Sequence, residues 1–229
     1  MNNKKIAIGG IILAVVVLLI AVSIPQNEDE VEEDLLGIKY DIKGNETSLK
    51  YDTENPVVAM YVKDYGSIVI ELYPDIAPNT VNSFISLVKN KYYDDNTFHR
   101  LDPGFVLQGG DPTGTGQGGP GYTIEGEFSE NGFENNLSHE KWVVSMGRKA
   151  NDNNSAGGQF FICLDNHSEL DGMYASFGRV IDGFDNIKKM TEDGIVENEV
   201  TGKLRTNFTI KKTLIDLHGK EYDDVIKVN

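Results

Sequence analysis

Two stretches hold the side chains best suited to chemistry: Phe98-His99-Arg100-Leu101-Asp102-Pro103-Gly104-Phe105-Val106-Leu107-Gln108-Gly109-Gly110-Asp111 and Ser155-Ala156-Gly157-Gly158-Gln159-Phe160-Phe161-Ile162-Cys163. Each sets one or two hydrogen-bonding groups, Arg100 and Gln108 in the first and Gln159 in the second, among large apolar side chains. The adjoining glycines admit a tight turn or the close approach of another chain. On a strand, period two puts Val106 with Gln108, and Gln159 with Phe161, on shared faces. That combination suits a strand-borne groove with an apolar floor and a few directed donors. Taken alone, the residues also fit a blander reading, in which the arginine is a solvated strand-edge cation and each phenylalanine is core.

Other chemistries find less support. Ser145, His99 and Asp111 offer a hydrolase triad by residue type, but no Gly-x-Ser-x-Gly turn presents the serine. The glycine-rich run 109–121 has no Gly-Lys-Ser/Thr ending and no helix pattern behind it, so tight turns explain it better than a phosphate cradle. His139, His167 and His218 sit in polar contexts and, with the aspartates, show no metal-ligand spacing. Neither a metal nor a cofactor is expected. Cys163, the sole cysteine, excludes an intrachain disulfide and a multi-cysteine zinc site; in the apolar run from Phe160 to Leu164 it reads as a buried, inert thiol.

The elements that must position these residues are short. Val57–Val62 and Ile68–Tyr73 are β-branched and aromatic runs separated by Lys63-Asp64-Tyr65-Gly66-Ser67, the pattern of a hairpin. Pro78 suits a first helical turn, and Val81, Phe84, Ile85 and Val88 follow at helical spacing, predicting a helix over 79–90. Tyr122, Ile124 and Phe128 resume a strand-like pattern, and Trp142–Gly147 reads as a buried strand. The polar run 148–158 is a loop of turn formers. Ala175–Val180 reads as a strand, Phe184–Met190 as a second short helix and Phe208–Leu217 as a final strand. Many short strands, two helices and no repeat predict a mainly β fold, a closed antiparallel barrel capped by helices, over residues 56–229.

Ahead of it the texture differs. Residues 6–24 are apolar without a charge, long enough for a bilayer core of about 30 Å, and Lys4 and Lys5 precede them. The positive-inside bias then puts residues 1–5 in the cytoplasm and the rest of the chain outside, as a single-pass membrane protein. A cleaved signal sequence, with Ala21-Val22-Ser23 at the cleavage spacing, would make the protein secreted instead. Residues 25–55 are acidic and polar and read as an extracytoplasmic tether, with Ile38–Tyr51 either adding a short strand or draping over the domain. A formal net charge of −15 argues against nucleic-acid partners. A monomer is expected.

The runs FHRLDPGFVLQGGD and AGGQFFICL closely resemble the two signature segments of the cyclophilin-type peptidyl-prolyl cis/trans isomerases, and the Pro-x-x-Ala-Pro-x-Thr-x-x-x-Phe helix before them is similar to the N-terminal part of that family. The resemblance covers about residues 57–217. It implies an eight-stranded barrel, proline-containing polypeptide substrates and catalysis by non-covalent means. Arg100 would be the donor to the prolyl nitrogen, with Phe105 and Gln108 as its catalytic companions. Val106, Phe161, Leu170 and Tyr174 would complete the proline pocket, Gln108 would hold the substrate backbone, Gly147 and Arg148 would contact it through their own backbone, and Gln159 would face the substrate. His99 would be a structural, hydrogen-bonded histidine, since the reaction requires no proton transfer. A binding or holdase module that kept the groove without useful turnover is the alternative. Several positions depart from the family pattern. Gly147-Arg148-Lys149 stands where well-known members have Ala-Asn-Ala, making the groove more basic, and Glu169 stands where cyclosporin-sensitive members often have tryptophan, so weak cyclosporin binding is expected. Tyr174 and the loop 151–156 resemble the prokaryotic pattern.

Overall fold

The computed structural model describes residues 40–43 and 46–228. The apolar run 6–24 and most of the acidic stretch after it lie outside these residues; among the described residues no helix is long and apolar enough to cross a membrane.

A first hairpin joins β1 (Tyr40–Lys43) to β2 (Glu46–Leu49). The remaining strands are β3 (Val57–Val62), β4 (Gly66–Leu72), β5 (Thr97–Asp102), β6 (Val106–Gly109), β7 (Val143–Met146), β8 (Phe160–Cys163), β9 (Ser176–Asp182), β10 (Val196–Asn198) and β11 (Lys203–Asp216). Eight of them pair antiparallel in the order β11-β3-β4-β9-β7-β8-β6-β5, and β5 returns to β11 to close the barrel. Strand β10 is appended to β11. Closure depends on the length of β11, which pairs with β5 near its beginning and with β3 from Ile210 onward, a register shift separating its pairs within each partner. The β3–β4 turn uses Asp64 (φ 69°) and Gly66 (φ 103°), residue types that reach the left-handed region at low cost.

Strand alternation sorts the aromatics. Phe98, Leu107, Phe160 and Ile162 point into the barrel, where they meet helices α1 (Pro78–Lys89) and α2 (Phe184–Asp193) through Val81, Phe84, Val88, Ile187 and Met190. Phe84 packs edge-on to Phe160 at 5.5 Å, a favoured arrangement of ring quadrupoles. The opposite faces of β6 and β8 carry Val106, Phe161 and Cys163 into a separate apolar cluster with Leu170, Phe105 and Tyr174. Helix α1 has no cap from its own chain start. Instead the buried Glu127 accepts the backbone N–H groups of Asn79 (3.0 Å) and Thr80 (2.7 Å), satisfying two of the free donors of the first turn.

Several sequence expectations change in detail, among them the last strand, which begins at Lys203 rather than Phe208. The segment around Tyr122–Phe128 forms no strand, only one bridge between Ile124 and Ala156, because its peptide groups bond to loop side chains: Gly126 N–H donates to Asn154 Oδ1, and Asn131 donates to the Gly126 carbonyl. Strand β7 starts at Val143 rather than Trp142, whose φ of 75° is incompatible with a strand. The last part of the expected tether belongs to the domain. Leu49 is buried and donates its N–H to Asp216, Tyr51 bonds Asp182, and Thr53 and Asn55 bond Glu71.

Candidate functional site

A groove of about 590 Å³ runs along the outer face of β5, β6 and β8 and past the end of β7. Arg100, Phe105, Val106, Gln108, Gly147, Arg148, Gln159, Phe161, Leu170 and Tyr174 all line it, so every position singled out in the sequence faces one space. Val106, Phe161 and Leu170 form a nearly closed apolar floor, and Phe105 and Tyr174 stand half-buried at its sides. Phe161 meets the Tyr174 ring edge-on at 5.6 Å.

A polar line borders this floor. Arg100 donates from Nε to the Thr201 carbonyl (2.9 Å), from Nη1 to Gln108 Oε1 (3.2 Å) and from Nη2 to Asp102 (3.1 Å). Gln108 Nε2 donates to Gln159 Oε1 (3.0 Å), and Gln159 Nε2 to the Gly118 carbonyl (2.9 Å). Both amide orientations follow from the first bond, because a guanidinium can only donate and must face the Gln108 oxygen. Three of the five guanidinium N–H groups are thus committed, fixing the plane of the fork, and two have no partner among the described residues. The Thr201 carbonyl comes from the β10–β11 turn, whose polar sequence gave no hint of a role here.

The groove's far wall is the loop 109–121. Its backbone is tied down by Asp111, which accepts the N–H groups of Thr113, Thr115 and Gly116 and the Thr113 hydroxyl. Burial pushes the Asp111 carboxyl up, but bonds from Thr113, Gly118 and Gly116 outweigh it and hold the pKa at about 2. The glycines there serve turns, with φ values of 85° at Gly110, 64° at Gly114 and 83° at Gly116.

Behind Phe161, Asp171, His139 and Ser145 stand in a hydrogen-bonded row: Asp171 Oδ1 lies 2.8 Å from His139 Nδ1, and His139 Nε2 lies 3.0 Å from Ser145 Oγ. This has the connectivity of a hydrolytic triad, though with different partners from the His99 and Asp111 that residue type alone suggested. Ser145 is fully buried and His139 is 1 % exposed, so no substrate carbonyl reaches the hydroxyl. The row instead supports the floor: Ser145 is the cross-strand partner of Phe161, and the His139 ring lies nearly parallel behind it at 6.1 Å. Burial lowers the His139 pKa against the opposing pull of Asp171. His99 is buried outside the groove, and its Nδ1 makes no well-formed hydrogen bond among the described residues; burial lowers its pKa against the opposing pull of Asp111 and the Thr97 backbone. Cys163 is fully buried and burial raises its pKa to about 12, which leaves it inert as read. Among the described residues no group of His, Cys, Asp and Glu could hold a metal ion.

The departures at 147–149 and 169 have distinct structural effects. Arg148 turns its side chain onto its own protein, donating to the carbonyls of Met173, Lys149 and Ala150 and lying over the rings of Tyr174 (4.7 Å) and Phe128 (5.2 Å). Glu169, exposed, bonds His167 Nδ1 at 2.9 Å; His167 Nε2 faces the Gly104 carbonyl and its ring meets Phe105 edge-on at 4.7 Å. Neither His167 nor the Asp171–His139–Ser145 row is singled out by the sequence as part of the site, since the contacts that tie them to it, His167 with Gly104 and His139 with Asp171, join residues 63 and 32 apart.

The family model for cyclophilin type peptidyl-prolyl cis-trans isomerase/CLD matches residues 57–215. Peptidyl-prolyl cis-trans isomerase B of Bacillus subtilis is 41% identical over 136 residues, 59% of this chain and 91% of that protein. Peptidyl-prolyl cis-trans isomerase-like 1 of the fungus Gibberella zeae is 44% identical over 126 residues, 55% of this chain and 75% of that protein. Bacterial and fungal relatives are thus about equally similar, and the likeness does not single out a prokaryotic type. Among solved structures, a cyclophilin type peptidyl-prolyl cis-trans isomerase of Cryptosporidium parvum in the presence of the dipeptide ala-pro superposes with a TM-score of 0.61 at 30% identity, covering 69% of this chain and 98% of that one.

Proposed function

Because the chain belongs to the cyclophilin-type peptidyl-prolyl cis/trans isomerases, we propose that its groove accelerates X-Pro rotation by transition-state binding, with Arg100 as the donor to the prolyl nitrogen. The uncatalysed barrier is about 18–20 kcal/mol, set by amide conjugation. When the bond twists, the prolyl nitrogen loses that conjugation and gains a lone pair. A donor that meets this lone pair binds the twisted state better than either planar one, and only such differential binding speeds the reaction. The observation that carries the reading is the fixed guanidinium of Arg100, with two uncommitted N–H groups, beside the apolar floor of Phe105, Val106, Phe161 and Leu170. The proline ring occupies that floor, closed by Tyr174. Gln108 and Gln159, together with the backbone at Gly147 and Arg148, hold the flanking peptide while the other side turns. No step needs a nucleophile, and the buried Ser145 and Cys163 offer none.

The test is the exchange rate of a short Ala-Pro peptide with the full chain and with its Arg100→Ala variant. Acceleration that falls at least about tenfold in the variant, about 1.4 kcal/mol of transition-state stabilisation, supports the assignment. Binding of the peptide without acceleration replaces it with the proline-peptide holdase.

Residues 6–24 serve, in this proposal, as a single-pass anchor that leaves the domain outside the membrane to act on folding extracytoplasmic proteins; the support is the apolar run with Lys4 and Lys5 before it. Protease treatment of intact cells should remove the domain, and survival of the whole chain would refute the orientation. Cyclosporin binds weakly in this proposal because Glu169 offers a carboxylate committed to His167 rather than an indole face; a nanomolar Kd would overturn that.

A further inference from the structure

The groove's charge runs against that of the molecule. Acidic residues outnumber basic ones 36 to 21 in the chain, yet the groove lining includes Arg100, Arg148 and Lys149 and not one aspartate or glutamate. Among the described residues, only Arg100 of these cations is ion-paired, to Asp102. Arg148 donates to carbonyl oxygens, and no carboxylate among the described residues pairs with it. Lys149 is exposed and its ammonium has no ion-pair partner among the described residues. Its backbone, by contrast, is fixed: the Lys149 N–H donates to Ser155 Oγ, and its carbonyl accepts from Asp152 N–H and from Arg148. A further cation reaches the groove from the C-terminal segment, where Lys227 lies 4.4 Å over the ring of the groove residue Tyr122 and the Val228 N–H donates to the Thr123 carbonyl. The carboxylates on these same segments are exposed and turned to other work or to solvent: Asp152 accepts the Asn154 N–H, and Glu125, Asp223 and Asp224 make no ion pair with the three cations.

Resting on the isomerase reading of this groove, we propose that Lys149, in the field of Arg148 and Lys227, selects proline segments carrying an acidic side chain within two or three residues of the proline. An extended peptide advances about 3.3 Å per residue, and a lysine side chain is long enough to meet such a carboxylate from the rim. The contact is a partly exposed ion pair, so it gives selectivity of a fewfold and weakens with salt.

The test uses the full-length protein and neutral Ala-Pro peptides with Glu, Gln or Lys substituted singly at the second or third residue before or after the proline. Both Kd and kcat/KM are read. At one placement at least, Glu should exceed Gln by about threefold or more at low salt, the advantage should vanish in ~0.5 M salt, and Lys149→Glu should invert the order so that the Lys peptide is preferred. Equal values for Glu and Gln at every placement, or an advantage that survives Lys149→Glu unchanged, overturn the proposal. If the Kd preference appears and inverts while no peptide is accelerated, the charge selection stands and the isomerase reading of the groove falls. If neutral peptides are accelerated without any charge preference, the isomerase reading stands and this inference falls.

Discussion

Replacing Arg100 by lysine separates its charge from its geometry. The guanidinium is held in three directions at once, by the Thr201 carbonyl, Gln108 and Asp102, and that is what aims its remaining N–H groups. A lysine keeps the charge and the pairing with Asp102, but it brings a single nitrogen on a flexible stem and cannot span the three partners. Gln108 also loses the donor that orients its amide, so the relay to Gln159 slackens. A charge-assisted hydrogen bond made only in the twisted state contributes about 1.5–3 kcal/mol, so kcat/KM for an Ala-Pro peptide should fall roughly 10- to 100-fold. Because the lost interaction belongs to the transition state, kcat should carry the loss and KM should hardly move. The Arg100 side chain is partly exposed and its pair with Asp102 lies at the surface, so the urea midpoint should stay near that of the parent. Exchange spectroscopy by NMR at equilibrium measures the rate without a coupling protease, and a denaturation curve on the same sample checks the fold. A lysine variant within twofold of the parent would refute the argument, since charge alone would then suffice. A Gln108→Ala background should shrink the effect of Arg100→Lys, because both changes break the same relay.

Glu127→Ala removes the acceptor for two backbone N–H groups at the start of α1 and should lower stability by about 2–3 kcal/mol in urea unfolding, with the neutral acceptor of Glu127→Gln recovering part of it; a midpoint unchanged in the alanine variant would contradict the capping role. Asp111 has a folded pKa of about 2, below the ordinary 3.8, so its contribution is fully present above about pH 4 and is lost as pH falls toward 2. That amounts to about 2 kcal/mol, and Asp111→Asn should flatten this part of the stability profile; equal slopes in parent and variant would count against it. Cys163, buried with its pKa raised to about 12, should resist iodoacetamide in the native protein and react once the chain is unfolded. Rapid labelling of the native state would show that the apolar cluster around it opens.

The fold could be read where local pattern and tertiary demand agree. Helix α1 carries Val81, Phe84, Ile85 and Val88 at helical spacing and buries all four. The 203–207 part of β11 was not legible because it alternates Leu204 with exposed Lys203 and Arg205, giving too little apolar signal for a strand whose pairing with β5 is a matter of long-range closure. The segment 122–128 misled for the opposite reason: apolar residues at alternate positions resemble a strand, yet Asn154 and Asn131 take up the backbone groups that a ladder would use.

The site was legible in its lining and opaque in its support. Arg100, Gln108 and Phe161 lie on strands, where period two already assigns their faces, and Gln159 directly precedes β8, so two short runs of sequence contain six of the ten candidate site residues. What holds those residues comes from segments distant in sequence and polar in composition: the Thr201 carbonyl behind Arg100, the Gly118 carbonyl beyond Gln159, and Asp171, His139 and Ser145 behind Phe161. Backbone carbonyls leave no trace in residue type, and a histidine 32 residues from its aspartate looks no different from a solvated one. The same asymmetry bears on catalysis. Arg100 could be named from its strand alone, but the direction in which its guanidinium points is set jointly by Asp102 and Gln108 on the strands and by the Thr201 carbonyl of the β10–β11 turn, and in the proposed reaction a rotating amide responds to direction more than to the mere presence of a cation.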